Sequence, residues 1–229
     1  MSKIYAFFSQ IPAISVLTLL CLFSFGASTA VASDYSHLDG LSGDYTYNIM
    51  RNGTQIGTYS FNVKNVDDTM TIHVKMDILA KVLFLTAYEA THQRTEKYVN
   101  GVLESIQGEA NFNGKEYAFS YDAENKAITL NDNEEVIEGT PVTLTPFIPK
   151  LKGQFVGLSE KGKTYPAALI DHGIVKKKSG LKLKPYHHIT FDSDVKRDLW
   201  YTPEGILDSL AYKKDGATIT FERQTESKY

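Results

Sequence analysis

The 229 residues are 42% hydrophobic, 22% charged and 12% aromatic, and 24 Lys plus Arg stand against 27 Asp plus Glu, a formal charge of −3. That balance excludes a disordered chain, which is apolar-poor and highly charged, and a dedicated nucleic-acid binder, whose domain is strongly basic. Fourteen Tyr and twelve Phe, many on alternating segments, favour β-structure.

The first segment reads as an address label. Met1 to Ala32 carries one charge, Lys3, then an apolar run from Ala13 to Ala27 and the small-residue pattern Ala30-Val31-Ala32. The run is shorter than the ~20 residues that span a bilayer, so a signal peptide cut after Ala32 or Ala30 is expected, followed by a polar lead-in over 33–40. Leu20 before Cys21 argues against a lipoprotein signal. Cleavage removes Cys21, the only cysteine, so the exported chain is stabilised by its core and not by disulfides. The expected product is periplasmic or secreted, with no transmembrane segment left after cleavage, and forms a single domain over 41–226.

From Gly43 the pattern alternates. Tyr45, Tyr47 and Ile49 share a strand face, and Asn52-Gly53 then gives the strongest short hairpin signal, since both residues of a type I′ turn need positive φ. Tyr59, Phe61 and Val63 form the next face, with Gly57 marking a bulge. Met70, Ile72, Val74, Met76, Ile78, Ala80 and Val82 make the clearest strand. Asn100-Gly101 and Asn113-Gly114 repeat the turn about a dozen residues apart, the spacing of sandwiches and barrels. Thr140 to His172 breaks the rhythm with Pro141, Pro146, Pro149 and Pro166, and reads as a long Pro-rich loop or short helix. Strands resume at Gly173–Lys178, Leu181–Phe191, Val195–Tyr201 and Ala217–Gln224. The expected fold is all-β, an antiparallel meander of about ten strands forming a closed or half-open barrel.

No nucleophile elbow, zinc helix, P-loop or dinucleotide fingerprint is present. Ser179-Gly-Leu-Lys182 matches S-x-x-K without its partner motifs and reads as a turn serine beside a strand lysine. His187 and His188, adjacent on a strand, point to opposite faces and cannot share an ion. His37, His73, His92 and His172 lack ligand spacing, although Asp171-His172 could pair across a loop. No metal, cofactor or catalytic residue is assigned.

Two clusters stand out. Tyr88, His92, Arg94, Glu96 and Tyr98 have one parity, so an unbroken strand lines one surface with them. Facing inward, they form a polar patch that must be internally paired; facing outward, they are a solvated stripe. Lys176, Lys177, Lys178, Lys182 and Lys184 cluster without an acid among them. They suit anionic lipid headgroups or phosphates, or else keep an edge strand from pairing with another chain. Trp200 and Tyr201, before a Pro-Glu-Gly turn, read as structural.

With these residues in view, the chain resembles domain of unknown function family 6134, a family of exported bacterial β-proteins, and more distantly family 3108. The resemblance lies in Tyr47-Asn-Ile-Met-Arg-Asn-Gly-Thr-Gln-Ile-Gly57, in Glu96-x-Tyr98-x-x-Gly101-x-Leu103, and most clearly in Asp198-Leu-Trp-Tyr-Thr-Pro-Glu-Gly205 with Lys214-Asp-Gly-Ala-Thr-Ile-Thr-Phe-Glu-Arg-Gln224. The Thr140–His172 stretch departs from the family pattern. The resemblance implies an exported single-domain β-protein and supplies no catalytic residue. The strand rhythm is also similar in kind to periplasmic half-barrel carriers of lipids and lipoproteins such as LolA and LolB, a likeness of fold only.

Three functional readings follow. The first is a carrier or binding module for a lipid or other hydrophobic ligand, with Tyr47, Ile49, Phe61, Ile72, Val74, Met76 and Ile78 lining a cavity, Tyr88, His92, Arg94 and Glu96 as its polar patch, and Phe147 and Phe155 as a lid. The same apolar residues would equally fill a dry core. The second is an envelope interaction protein docking through the lysines. The third is a hydrolase or isomerase using the Tyr88, His92 and Glu96 face.

Overall fold

The computed structural model describes residues 41–82, 85–150, 154–179 and 182–224; the expected leader and the 33–40 lead-in lie outside the described residues. Fourteen strands are present among them: β1 (Gly43–Arg51), β2 (Thr54–Val66), β3 (Thr69–Val82), β4 (Leu85–Val99), β5 (Val102–Phe112), β6 (Lys115–Asp122), β7 (Ala127–Leu130), β8 (Asn133–Val136), β9 (Gln154–Leu158), β10 (Thr164–Ser179), β11 (Lys182–Asp192), β12 (Arg197–Tyr201), β13 (Leu207–Lys214) and β14 (Ala217–Arg223). They form one antiparallel sheet in the order β8-β7-β6-β5-β4-β3-β2-β1-β14-β13-β12-β11-β10-β9. From β1, mid-sheet, the strands wind out to β8, cross to the opposite edge at β9 and wind back until β14 pairs with β1. The sheet stays open between β8 and β9, a half-open barrel.

Local chemistry sets the register. Asn52-Gly53, Asn100-Gly101 and Asn113-Gly114 all have positive φ at both residues, as a type I′ hairpin requires. Asn52, Asn113 and Asn131 also accept, through Oδ1, the main-chain N–H of Thr218, Glu89 and Ala118, tying each turn to a neighbouring strand. The bulge expected near Gly57 is present: Ile49 pairs with Gly57 and Met50 with Gln55, leaving Ile56 extra. A Cβ at Gly57 would lie 2.2 Å from the Asp77 carbonyl oxygen, so β3 presses against bare backbone there.

The sequence expectation fails over 140–172. No helix occurs among the described residues; 154–158 is an added strand, and the strand expected from Gly173 begins already at Thr164. Pro166 is compatible with β10 because of where it falls. Opposite Val156, it belongs to a pair whose main-chain groups point away from β9, and β11 has already ended at Asp192, opposite Ala168.

What remains of the excursion is a strap, 137–150, that joins the two free edges through the interior. Val142 accepts from Leu158 N at 2.9 Å and donates to Val156 O at 2.8 Å. Pro146 O accepts from Leu207 N at 2.8 Å, and Ile148 N donates to Gly205 O at 3.0 Å. Between these anchors Phe147 is 0% exposed, its ring edge-on to Tyr45 at 5.4 Å. Phe147 is therefore a plug inside the sheet and not a lid over its mouth. An open barrel leaves a central space that its own walls do not fill, and the apolar strap fills it. Phe147 belongs to the same buried core as Tyr47, Ile49, Tyr59, Phe61, Ile72, Val74, Met76 and Leu210.

Candidate functional site

A buried polar cluster lies beneath the strap. On β4, Thr91, Gln93 and Lys97 are exposed while His92, Arg94, Glu96 and Tyr98 point inward. Room for the arginine comes from Gly108 on β5, directly opposite Arg94 and flanked on β6 by Phe119. A Cβ at position 108 would lie 2.4 Å from the Phe119 ring and 2.8 Å from Arg94 Cβ. The absent side chain is what lets the Phe119 ring and the base of the Arg94 side chain approach the backbone here.

The cluster is closely paired. Arg94 Nε donates to Glu96 Oε1, and Tyr98 Oη donates to Glu96 Oε2 at 2.6 Å. Arg94 Nη1 donates to Tyr59 Oη at 3.1 Å and contacts His92 Nε2 at 2.9 Å, while Nη2 donates to the Leu144 carbonyl of the strap at 2.9 Å. His92 Nδ1 meets the Glu160 carbonyl at 2.9 Å. A carbonyl only accepts, so Nδ1 carries the proton and Nε2 accepts from the guanidinium; the network assigns a neutral imidazole.

Electrostatics agree with this tautomer. Burial, and then the Arg94 charge, push His92 down to about 4. Burial opposes the Arg94 charge, but the Tyr59 and Glu96 oxygens outweigh it and hold the guanidinium above its ordinary range. Burial raises the Tyr59 hydroxyl. At Glu160 burial works upward, yet the Arg197 and Arg94 charges and a main-chain hydrogen bond leave its carboxyl below the usual range. The group is an internally balanced ion pair of low exposure: Arg94 is 5% and Glu96 0% exposed. Burying such a pair is costly in desolvation and tolerable only with this degree of hydrogen bonding.

The space adjoining it is small. A cavity of about 40 Å³ lies among Leu144, Glu160, Tyr165, Arg197 and Leu199. That holds a few waters, against the ~300–1,000 Å³ of ligand pockets. A hollow of about 1050 Å³ is an open one on the outside of β1–β7 whose polar side chains pair with one another, as Asn62 does with Asp44 and His73 with Thr95.

The structure brings most candidates together. Tyr47, Ile49, Phe61, Ile72, Val74 and Met76 form one core, with Ile78 and Tyr88 packed partly buried against it. They share that core with Phe147. Phe155 lies apart, on β9 with Val142 and Ala167. Sequence reasoning missed Tyr59, Gly108, Leu144 and Glu160 as parts of the cluster. An isolated Gly inside a strand pattern signals close approach, so Gly108 was detectable; Leu144 and Glu160 arrive from irregular segments with no local signal.

The lysines lie where β10 and β11 have no outer neighbours, so both strands present free edges there. They belong to the β10–β11 hairpin, where Lys177 leans back: its Nζ lies 3.7 Å from the centre of the Trp200 ring and donates to Ser209 Oγ at 2.8 Å. Trp200 is stacked on its other side by His188, and His188 by His172. Asp171 pairs with His187 at 2.6 Å and not with His172, which bonds Thr190 Oγ1 at 2.9 Å. A bulge between Asp171 and Ile174 shifts the register and explains the exchange.

An open antiparallel barrel-like sheet with a packed, strap-filled interior defines the class of protein. The profile of a domain of unknown function (DUF6134) matches residues 47–224, and the chain belongs to that family. No curated protein matches it. Among solved structures, the chain is similar to the crystal structure of a beta-barrel-like protein of domain of unknown function DUF1849 from Brucella abortus, with TM-score 0.57 and 7% identity over 80% of this chain and 95% of that one. At that identity the likeness is one of fold.

Proposed function

We propose that this is an exported, non-catalytic binding or carrier module for an amphiphilic ligand, and that the strap holds the ligand's place until displaced. One observation carries the reading. The strap presents to the interior what an acyl ligand would present: a carbonyl oxygen, Leu144 O, on the Arg94 guanidinium, and an apolar body, Phe147, in the centre of the core. Without the strap, the polar patch and the Tyr47, Phe61 and Val74 wall would form a groove with an oxygen-binding head and an apolar floor.

The energetics set the terms. Eight buried methylenes supply ~6 kcal/mol at ~0.8 each, which must offset association costs and the withdrawal of the strap. A ligand that binds only the strap-out state has its affinity reduced by that state's population. Loosening the strap therefore strengthens binding. The test is titration with the fluorescent apolar probe 1-N-phenylnaphthylamine and with lauric acid, alongside native mass spectrometry of protein purified without detergent. Phe147→Ala should bind the probe at least about tenfold more tightly than the wild type, and lauric acid should displace it. Absence of co-purified lipid together with no probe binding by either protein, with Phe147→Ala still folded by near-ultraviolet circular dichroism, would overturn the proposal.

A further inference from the structure

We infer that the distal β10–β11 ribbon is a docking surface for an anionic lipid bilayer. The inference stands apart from the ligand reading, because it concerns an exposed ribbon and is tested on bare vesicles.

The sheet leaves this ribbon without neighbours. β9 pairs with β10 only as far as Ala168, and β12 reaches β11 only from His187 onward. Beyond them five pairs, from Val175–Tyr186 to Ser179–Lys182, continue as two strands alone, about 14 Å at ~3.4 Å per residue. The ribbon departs at the 171–174 bulge, where Gly173 has φ +70° and donates its N–H to Asp171 Oδ1 at 2.8 Å.

Its two faces differ. Val175, Lys177 and Tyr186 share the face that leans back on the sheet, Tyr186 being buried and Lys177 held by Trp200. The other face carries Ile174, Lys176, Lys178, Leu183 and Pro185, all exposed. Ile174 is 67% and Leu183 68% exposed, among the most exposed large apolar side chains described. Lys182 and Lys184, opposite Ser179 and Lys177, are exposed on the first face.

Charge selects the partner. From His172 to Phe191 the chain contains five lysines and no carboxylate, within a protein of net charge −3. The carboxylates at the ribbon's base, Asp171 and Asp198, are engaged by His187 and His188. Exposed lysines alone would serve to keep a strand from pairing with others. Exposed Ile and Leu on the same face oppose that purpose, since they make the ribbon stickier. Cations flanking apolar side chains on a two-stranded finger match a surface with anionic headgroups above hydrocarbon, where the ammonium groups stay in water and the apolar groups enter. The ribbon's base also adjoins Tyr201, after which Gly205 of the 202–206 turn accepts from Ile148 of the strap and Leu207 donates to Pro146.

The experiment is sedimentation of the purified protein with vesicles of phosphatidylcholine alone, and with a third of the lipid replaced by phosphatidylglycerol, in low salt. The wild type should bind only the anionic vesicles, and about 0.5 M salt should release it, because screening then acts within a few ångströms. Each neutralised lysine should weaken binding about fivefold, so Lys176→Gln with Lys178→Gln should weaken it about 25-fold. Ile174→Ser with Leu183→Ser, at unchanged charge, should weaken it at least about tenfold. All four positions are exposed, so the fold tolerates these changes. Equal binding to neutral vesicles, or lysine variants that bind as the wild type does, would overturn the inference. Undiminished binding by the Ile174/Leu183 variant would overturn the apolar contact. Binding confined to protein-containing envelope vesicles and lost on protease treatment would assign the ribbon to a protein partner instead.

Discussion

Replacing Glu96 by Gln is the sharpest test of the buried cluster. Gln keeps the size and one carbonyl oxygen for Arg94 Nε, but removes the charge that balances a guanidinium 5% exposed to solvent. Arg94 would keep Tyr59 Oη and Leu144 O, both neutral, and so lose its paired counter-ion, with only the unbonded Glu160 carboxylate left to offset its charge. Breaking a buried pair in this way costs about 3–5 kcal/mol, and for a domain of this size each kcal/mol lowers Tm by about 2–4 °C. The expected loss is about 10 °C, or about 3–5 kcal/mol by urea titration at unchanged m-value. Arg94→Met alone should cost a similar amount by stranding Glu96 with Tyr98. The double variant Arg94→Met/Glu96→Leu should cost less than the sum of the singles by at least about 2 kcal/mol, because it removes both charges at once. A Glu96→Gln loss under about 1 kcal/mol, or additive costs in the double variant, would mean that the pair is solvated and the cluster is not what organises the interior.

Further outcomes follow from the same geometry. His92 is neutral in the fold down to pH about 4, whereas the unfolded imidazole takes up its proton below about 6.5. The unfolded chain therefore binds more protons between these values, and stability is full above pH 6.5 and declines toward pH 4, by about 2 kcal/mol on reaching pH 5. Urea midpoints of the wild type and His92→Asn at pH 7 and 5 check this: the variant should lose that part of the slope. Gly108→Ala places a methyl against the Phe119 ring and Arg94 Cβ and should cost about 1–3 kcal/mol by overpacking; unchanged stability would show that the arginine has room to spare. If the leader is removed on export, the intact mass of protein recovered from the exporting cell begins at Ser33 or Val31, and a mass that includes Met1 to Ala30 would refute cleavage.

What the sequence made legible was local. Asn-Gly turns dictate their own φ, so the hairpins at 52, 100 and 113 lie where the residues put them. The period-two rows of β3 and β4 announced which residues share a face, and the requirement that an inward row of His92, Arg94, Glu96 and Tyr98 be paired is met by the Arg94–Glu96 and Tyr98–Glu96 bonds. The failures came where structure depends on distant partners. Pro166 reads as a strand breaker unless it is known that β11 has already ended beside it. The strap's proline and aromatic residues fit a lid as well as a plug, and only the open seam between β8 and β9 decides. Leu144 and Glu160 reach Arg94 and His92 from irregular segments across the sheet. Five adjacent lysines look alike in sequence, yet Trp200 on β12 holds one of them and leaves the others free of that contact.

Hydrogen exchange in the strap addresses the central claim most directly, through the amides of Val142 and Ile148, which bond to β9 and to the 202–206 turn. If the strap is a displaceable occupant, these amides exchange through a local opening of lower free energy than that of β4, and saturating lauric acid accelerates them while β4 amides keep their protection. Exchange of Val142 and Ile148 only through global unfolding, unchanged by lauric acid, would make the strap a permanent part of the core and contradict the account.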